Sequence, residues 1–298
     1  MRFQSGARAA LLAAVLSMAA LPAYAQNEAA QNAVKSAWQA AAKTVKRGPD
    51  AIALLDQATL KLPEGYGFVP KREAAALMKA MGNGDDPEFV GLIVPVREDS
   101  DESWLIAVDF DRAGYVNDDD AKNWNADELL ENLKTGTEAG NAERIRLGVT
   151  PIEVTRWIER PAYDAATRTL IWSAEARDKG APADADNTVN YNTYVLGREG
   201  YVSLNLITSV SSVEAEKPMM KTLVGDVAFV DGKRYADFNA STDKVAAYGL
   251  AALIGGVAAK KLGLLAILAA FLAKSFKLVI VALGAAGVAL RKFFARKA

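Results

Sequence analysis

The stretch EVTRWIERPAYDAATRTLIWSAEARDKGAPADADNTVNYNTYVLGREGYVSLNLI, residues 153–207, decides the fold. It holds four strand-like segments at regular intervals: Glu153–Ile158, Thr169–Ala176, Thr188–Leu196 and Tyr201–Ile207. Their separators, PAYDAAT, RDKGAPADAD and GREG, are turn-forming sequences. Parallel neighbours need a long crossover, so connections this short predict an antiparallel meander.

Upstream, the pattern alternates between helix and strand. Val34, Ala37, Trp38, Ala41 and Val45 recur at near-helical spacing within 28–46, and Arg47-Gly48-Pro49 stops that segment. AIALLDQATLKLPEGYGFVP, residues 51–70, reads as two or three short strands. Glu73–Met81 reads as a helix with Ala74, Leu77, Met78 and Met81 on one side and Gly82-Asn83-Gly84 as its stop. Val90–Val96 and Trp104–Phe110 read as strands, the second apolar on both faces and therefore central. Asn125 is placed to cap a helix that runs to about Leu147, with Glu128 as its capping partner. Downstream, Val213–Val224 reads as a last helix and Val227–Val230 as a strand. The expected fold is α+β: an antiparallel sheet with helices packed on it, plus C-terminal transmembrane helices. The expected organisation is a signal peptide over 1–25, an N-terminal helical segment over 26–48, a periplasmic domain over 49–238 and a membrane anchor over 239–298.

Composition removes whole classes of chemistry. The chain has no cysteine, which excludes disulfides, thiolate nucleophiles and zinc-thiolate sites. It has no histidine, which excludes Ser-His-Asp catalysis and imidazole metal sites. Basic and acidic residues balance, 35 against 36, with the positive charge gathered in the tail and the acids in the middle, so nucleic acid is not an expected partner. Nothing calls for a cofactor.

Both ends read as membrane-directed. Arg2 and Arg8, the apolar run Ala9–Leu21 and the small residues of Ala23-Tyr24-Ala25 form a secretory signal. From Val245 to Leu290 the chain is almost unbroken Ala, Gly, Leu, Ile and Val, interrupted by Lys260, Lys261, Lys274, Ser275 and Lys277. Its apolar pieces are 15, 12 and 13 residues long, each shorter than the ~20 that span a bilayer. Two arrangements accommodate the lysines. One is a hairpin with a first helix from Val245 to about Ala270 and a second ending at Leu290, narrowly favoured; the other is a single span within Leu262–Leu290. A lysine inside lipid costs about 2.5 to 3.5 kcal/mol if central, less if it snorkels.

Four strings resemble one known family: GYVNDDDAKNWNADELLENLKTGTEAGN (114–141), PAYDAATRTLIW (161–172), YNTYVLGREG (191–200) and KRYADFNASTDKVAAYGLAALIGG (233–256). They are similar to the bacterial family of predicted membrane-anchored proteins called domain of unknown function 2167. The resemblance implies anchoring at the inner membrane of a Gram-negative-type cell, with the main domain in the periplasm. It implies no activity, substrate or catalytic residue.

Two sets of residues are candidates for a site. Asp118, Asp119 and Asp120, with Asp109, Asp111, Gly114 and Asn117, imitate a calcium loop, but Ala113 stands where a ligand is needed and Asp120 is shorter than the usual Glu. The same acids offer a centre for magnesium-assisted hydrolysis, with Lys122 or Arg112 stabilising an anion; the plainer reading is a solvated loop whose acids precede a helix N-terminus. Tyr191, Asn192 and Arg198 form a candidate binding face, against the plainer reading of strand residues around a tight turn. Trp124 is placed either to staple the helix entry or to meet a partner. The leading expectation is a non-enzymatic binding or scaffold module of the envelope, whose partners are the lipid bilayer and an envelope protein or a second copy. The alternative is a carboxylate-dependent, metal-binding hydrolase using Asp118–Asp120.

Overall fold

The computed structural model describes residues 31–97, 102–146, 150–182 and 186–255. The calls on the signal segment and on the tail beyond Gly255 lie outside these residues. An antiparallel sheet of eight strands crosses the molecule, in the order β1-β4-β5-β6-β10-β9-β8-β7. These are β1 Lys46–Arg47, β4 Tyr66–Pro70, β5 Phe89–Pro95, β6 Leu105–Asp111, β7 Ile152–Asp164, β8 Thr169–Asp178, β9 Thr188–Leu196 and β10 Tyr201–Ser209. The meander β7 to β10 stands as expected, with Tyr201 opposite Leu196 and Thr169 opposite Val195. β6 joins the two halves of the sheet, pairing with β5 and β10.

Both faces of the sheet are covered. On one lie α4 (Val213–Gly225) and a second sheet of β2 (Asp50–Leu54), β3 (Ala58–Leu62) and β11 (Val227–Phe229), in the order β11-β3-β2. Ile52, Leu54, Leu60, Leu62, Met220 and Leu223 there meet Ile106, Val108, Val202, Leu204 and Leu206 of the large sheet. The opposite face carries two separate apolar layers. A helix over 31–44, α1, and α2 (Lys71–Ala80) bury Ala41, Ala74, Leu77 and Met78 against Leu92, Leu105, Ala107 and Ile207. α3 (Ala126–Arg146) and α5 (Ala252–Gly255) bury Leu129, Leu133, Leu253 and Ile254 against Leu170, Trp172 and Ala174. Double coverage explains why β9 and β10 are buried at almost every position.

β7 runs further than the sequence suggests and takes in Pro161, Ala162, Tyr163 and Asp164, which the turn-forming string had masked. It is the outermost strand of the sheet, and its pairing with β8 shifts register at three places. An edge tolerates both, since a proline there forfeits no ladder bond and bulges bend the edge away from further pairing.

One boundary is corrected. A lipid-spanning helix was expected to open at Val245, but residues 239–255 belong to the folded body. Leu250, Leu253 and Ile254 are fully buried in the layer under α3, and the Trp172 indole N–H donates to the Leu253 carbonyl at 2.9 Å. Apolar composition here reflects a protein core. Likewise α1 is no separate segment, because Val34, Ala37, Trp38 and Val45 pack against the core that it shares with α2. Among the described residues no helix is long and apolar enough to cross a membrane.

Candidate functional site

At the end of the sheet where β6 finishes, the β7–β8 and β9–β10 turns, the loop before α3 and the segment 231–255 come together. The loop opens at Gly114, whose φ of +96° and whose approach to the Lys244 carbonyl, 2.5 Å from where a Cβ would stand, both require glycine. Tyr115 bonds through its backbone to Lys244 and Ala246, at 2.8 and 2.9 Å. Its ring lies between those of Tyr235 and Phe238, with centroids 4.4 and 3.8 Å away.

Asp118 is the centre of this rim. Its Oδ2 accepts from the Tyr163 hydroxyl at 2.7 Å and from Arg168 Nη1 at 2.6 Å. The Arg168 guanidinium lies over the Tyr235 ring, 4.7 Å from its centroid, and the Tyr235 hydroxyl donates to the Val116 carbonyl at 2.9 Å. Burial raises the Asp118 carboxyl, but the hydrogen bond from Tyr163 and the neighbouring Arg168 outweigh it and hold the pKa below the ordinary carboxylate value. Burial, then the bond to Asp118, pushes the Tyr163 hydroxyl well up, so it stays a proton donor. Arg168 itself sits at φ +56°, a left-handed conformation that side chains rarely adopt.

The three aspartates have separate partners. Asp118 faces Arg168 and Tyr163; Asp119 is exposed beside Lys122 at 3.4 Å; Asp120 accepts the backbone N–H groups of Leu250 and Ala251 at 3.1 and 3.0 Å. Gly249 makes the last contact possible, because a Cβ there would stand 2.5 Å from Asp120 Oδ2. Asp109 lies within β6, and Asp111, at its end, accepts from the Tyr201 hydroxyl at 3.0 Å. Among the described residues no group of three or more acidic side chains stands close enough to hold one metal ion.

The other candidates do not share a surface. Tyr191 and Asn192 are neighbours in β9 and point to opposite faces of the sheet, both buried, and Tyr191 belongs to the core under the small sheet. Arg198, in the β9–β10 turn, makes a two-pronged pair with Asp243 at 2.7 and 2.8 Å and donates to the Gly232 carbonyl at 3.1 Å. That pairing holds the Asp243 carboxyl far below its ordinary value. Trp124 is half-buried against the layer under α3, beside the helix entry, where Asn125 Oδ1 accepts from the Asp127 and Glu128 amides at 2.9 and 3.3 Å. Tyr163, Arg168, Tyr235 and Asp243 were not singled out from the sequence as functional.

Residues 46–284 match the family described as "Protein of unknown function (DUF2167)". The chain belongs to this family. Among curated proteins nothing matches this DUF2167 chain. Among solved structures, it is similar to the solution structure of cyanobacterial PsbP (CyanoP) from Synechocystis sp. PCC 6803, at 10% identity and a TM-score of 0.36, over 63% of this chain and 93% of that one. A likeness of that degree says nothing about activity. Within this DUF2167 chain the rim draws on all four strings quoted above: Tyr115, Asp118 and Asp120 from the first, Tyr163 and Arg168 from the second, Arg198 from the third, and Tyr235, Asp243 and Gly249 from the fourth.

Proposed function

We propose that this DUF2167 protein is a membrane-anchored module of the cell envelope, held at the inner membrane with its body in the periplasm, and that it works by binding or scaffolding rather than by catalysis. One observation carries the reading: the most distinctive polar side chains of the chain fasten the segment 232–251 to the sheet. Asp120, Arg198 and Tyr115 each hold part of 232–251, and Asp118 locks the β7–β8 turn into the same rim. A carboxylate engaged by an arginine and a tyrosine, or by two backbone amides, is organised to hold a position.

The anchor follows from what remains of the tail. With the body extending to Gly255, residues 256–290 leave too little chain for two spans of ~20 residues and a turn, which favours the single span within Leu262–Leu290. Alkaline washing of isolated membranes tests the anchor, and retention of the full-length chain is the expected result. Protease added to spheroplasts tests the placement, and digestion of the body from outside is expected. Crosslinking in cells from Asn117, Lys122 or Asn123, all exposed on the loop before α3, identifies what the rim meets. Metal analysis of the purified protein decides between this reading and the alternative hydrolase: stoichiometric metal that disappears in Asp119→Asn would replace this reading with that one.

A further inference from the structure

Charge is spread unevenly over the body. Residues 31–255 carry 25 basic and 35 acidic residues, yet α1, β1 and α2 together carry seven basic residues and one acidic, Glu73. The rest of the body, 48–70 and 81–255, is left with 18 basic and 34 acidic residues. No acid occurs anywhere from Gln31 to Pro49. The three elements meet in space: α1 and α2 share one apolar layer, Lys46 of β1 lies opposite Phe68 of β4, and β4 runs directly into α2 at Lys71. Their basic side chains are all exposed, at the edge of the large sheet opposite β7. Arg72 pairs with Glu73 and Lys79 with Asp85, whereas no acid among the described residues engages Lys35, Lys43 or Lys46.

We propose that this basic corner docks on anionic phospholipid headgroups, which, given the anchoring proposed above, fixes the face that the body turns to the membrane. An anionic surface repels a body with an excess of acids and attracts its basic corner, so a tethered chain is steered with that corner toward the lipid. Each lysine close to such a surface adds about a fivefold preference for the docked orientation. Lys35, Lys43 and Lys46 give up no ion pair in docking. The acidic face of a second copy is the poorer match, because acids there already have cations: Asp127 has Arg160, Glu138 has Lys179 and Glu153 has Arg177. Lipid phosphates carry no such internal partner.

The chain has no cysteine, so a fluorophore can be placed at Ala40→Cys on α1 or at Asn123→Cys on the loop before α3, both exposed. In the full-length chain reconstituted in vesicles of phosphatidylglycerol and phosphatidylcholine with a headgroup quencher, the label at 40 is expected to be quenched more than the label at 123. High salt, phosphatidylcholine alone, or Lys35→Glu/Lys43→Glu/Lys46→Glu is expected to abolish the difference. Lys61→Glu/Lys221→Glu/Lys244→Glu, the same charge change at exposed sites elsewhere, is expected to keep it. Quenching at 40 that ignores lipid charge, or that both triple variants lose equally, overturns the proposal. So does self-quenching between copies labelled at 40 in phosphatidylcholine alone, which would assign the corner to a second copy. Loss of the chain from the vesicles in an alkaline wash marks a failed anchor and is told apart from failed docking by adding the chain to preformed vesicles. Binding there that requires both phosphatidylglycerol and the three lysines upholds the docking, and binding that requires neither overturns it.

Discussion

Arg168 occupies a left-handed turn position where glycine or asparagine would be the easier choice, at a cost of about 1 kcal/mol. Its guanidinium offsets that cost through Asp118 and the Tyr235 ring. Arg168→Gly relieves the backbone and removes the ion pair, worth about 1.5 to 3 kcal/mol before discounting for its exposure. The expected outcome is a net loss of about 1 kcal/mol in chemical denaturation; a gain would mean that the side chain is dispensable. Asp118 adds a pH dependence. Its folded pKa lies below the unfolded value, so its contribution is present above pH ~4 and disappears as pH falls through the folded value. Thermal midpoints measured from pH 6 to pH 2 should fall less steeply for Asp118→Asn than for the native chain. The Asp118 cluster was only half legible in the sequence. The acidic run stood out, but its partners lie 45 and 50 residues away, and no local pattern selects Tyr163 and Arg168 from other polar residues of a turn. Tyr191 and Asn192 misled for a related reason: alternation sends them to opposite faces, and only the cover on each face reveals that both are buried.

The elements themselves were easier to read, because periodicity and turn chemistry are local. The β7–β10 meander, α2 with its buried Ala74, Leu77 and Met78, and the Asn125 cap of α3 all appear where their residues imply. Asn125→Ala is expected to cost about 1 kcal/mol, and hydrogen exchange should show it as faster exchange at Asp127 and Glu128. Harder to read was β11, whose three residues join β3 in a separate sheet, a pairing between segments far apart in the chain. Hardest was the stretch after Asp243, since leucine and isoleucine serve a core and a bilayer equally well. Gly249→Ala tests its attachment. The added methyl group meets the Asp120 carboxylate, so cleavage by a non-specific protease should move into 239–250 while circular dichroism of the sheet remains native.

For the molecule as a whole, the packing carries the body at least as far as Ile254. A chain stopped after Phe238 loses Leu250, Leu253 and Ile254 and leaves Trp172 without its cover, so it is expected to be insoluble or to bind hydrophobic dyes; a chain stopped after Lys261 is expected to be folded and soluble. Yield and near-ultraviolet circular dichroism of the two distinguish them. Tyr115 and Val245 run side by side in the same direction, joined by Tyr115 N–H to Lys244 O at 2.8 Å and Ala246 N–H to Tyr115 O at 2.9 Å. Tension drawn along that segment loads both bonds at once, in shear, with the stacked rings of Tyr115, Tyr235 and Phe238 behind them. A pull on the chain beyond this segment is thus met by a latch that must give way as a unit.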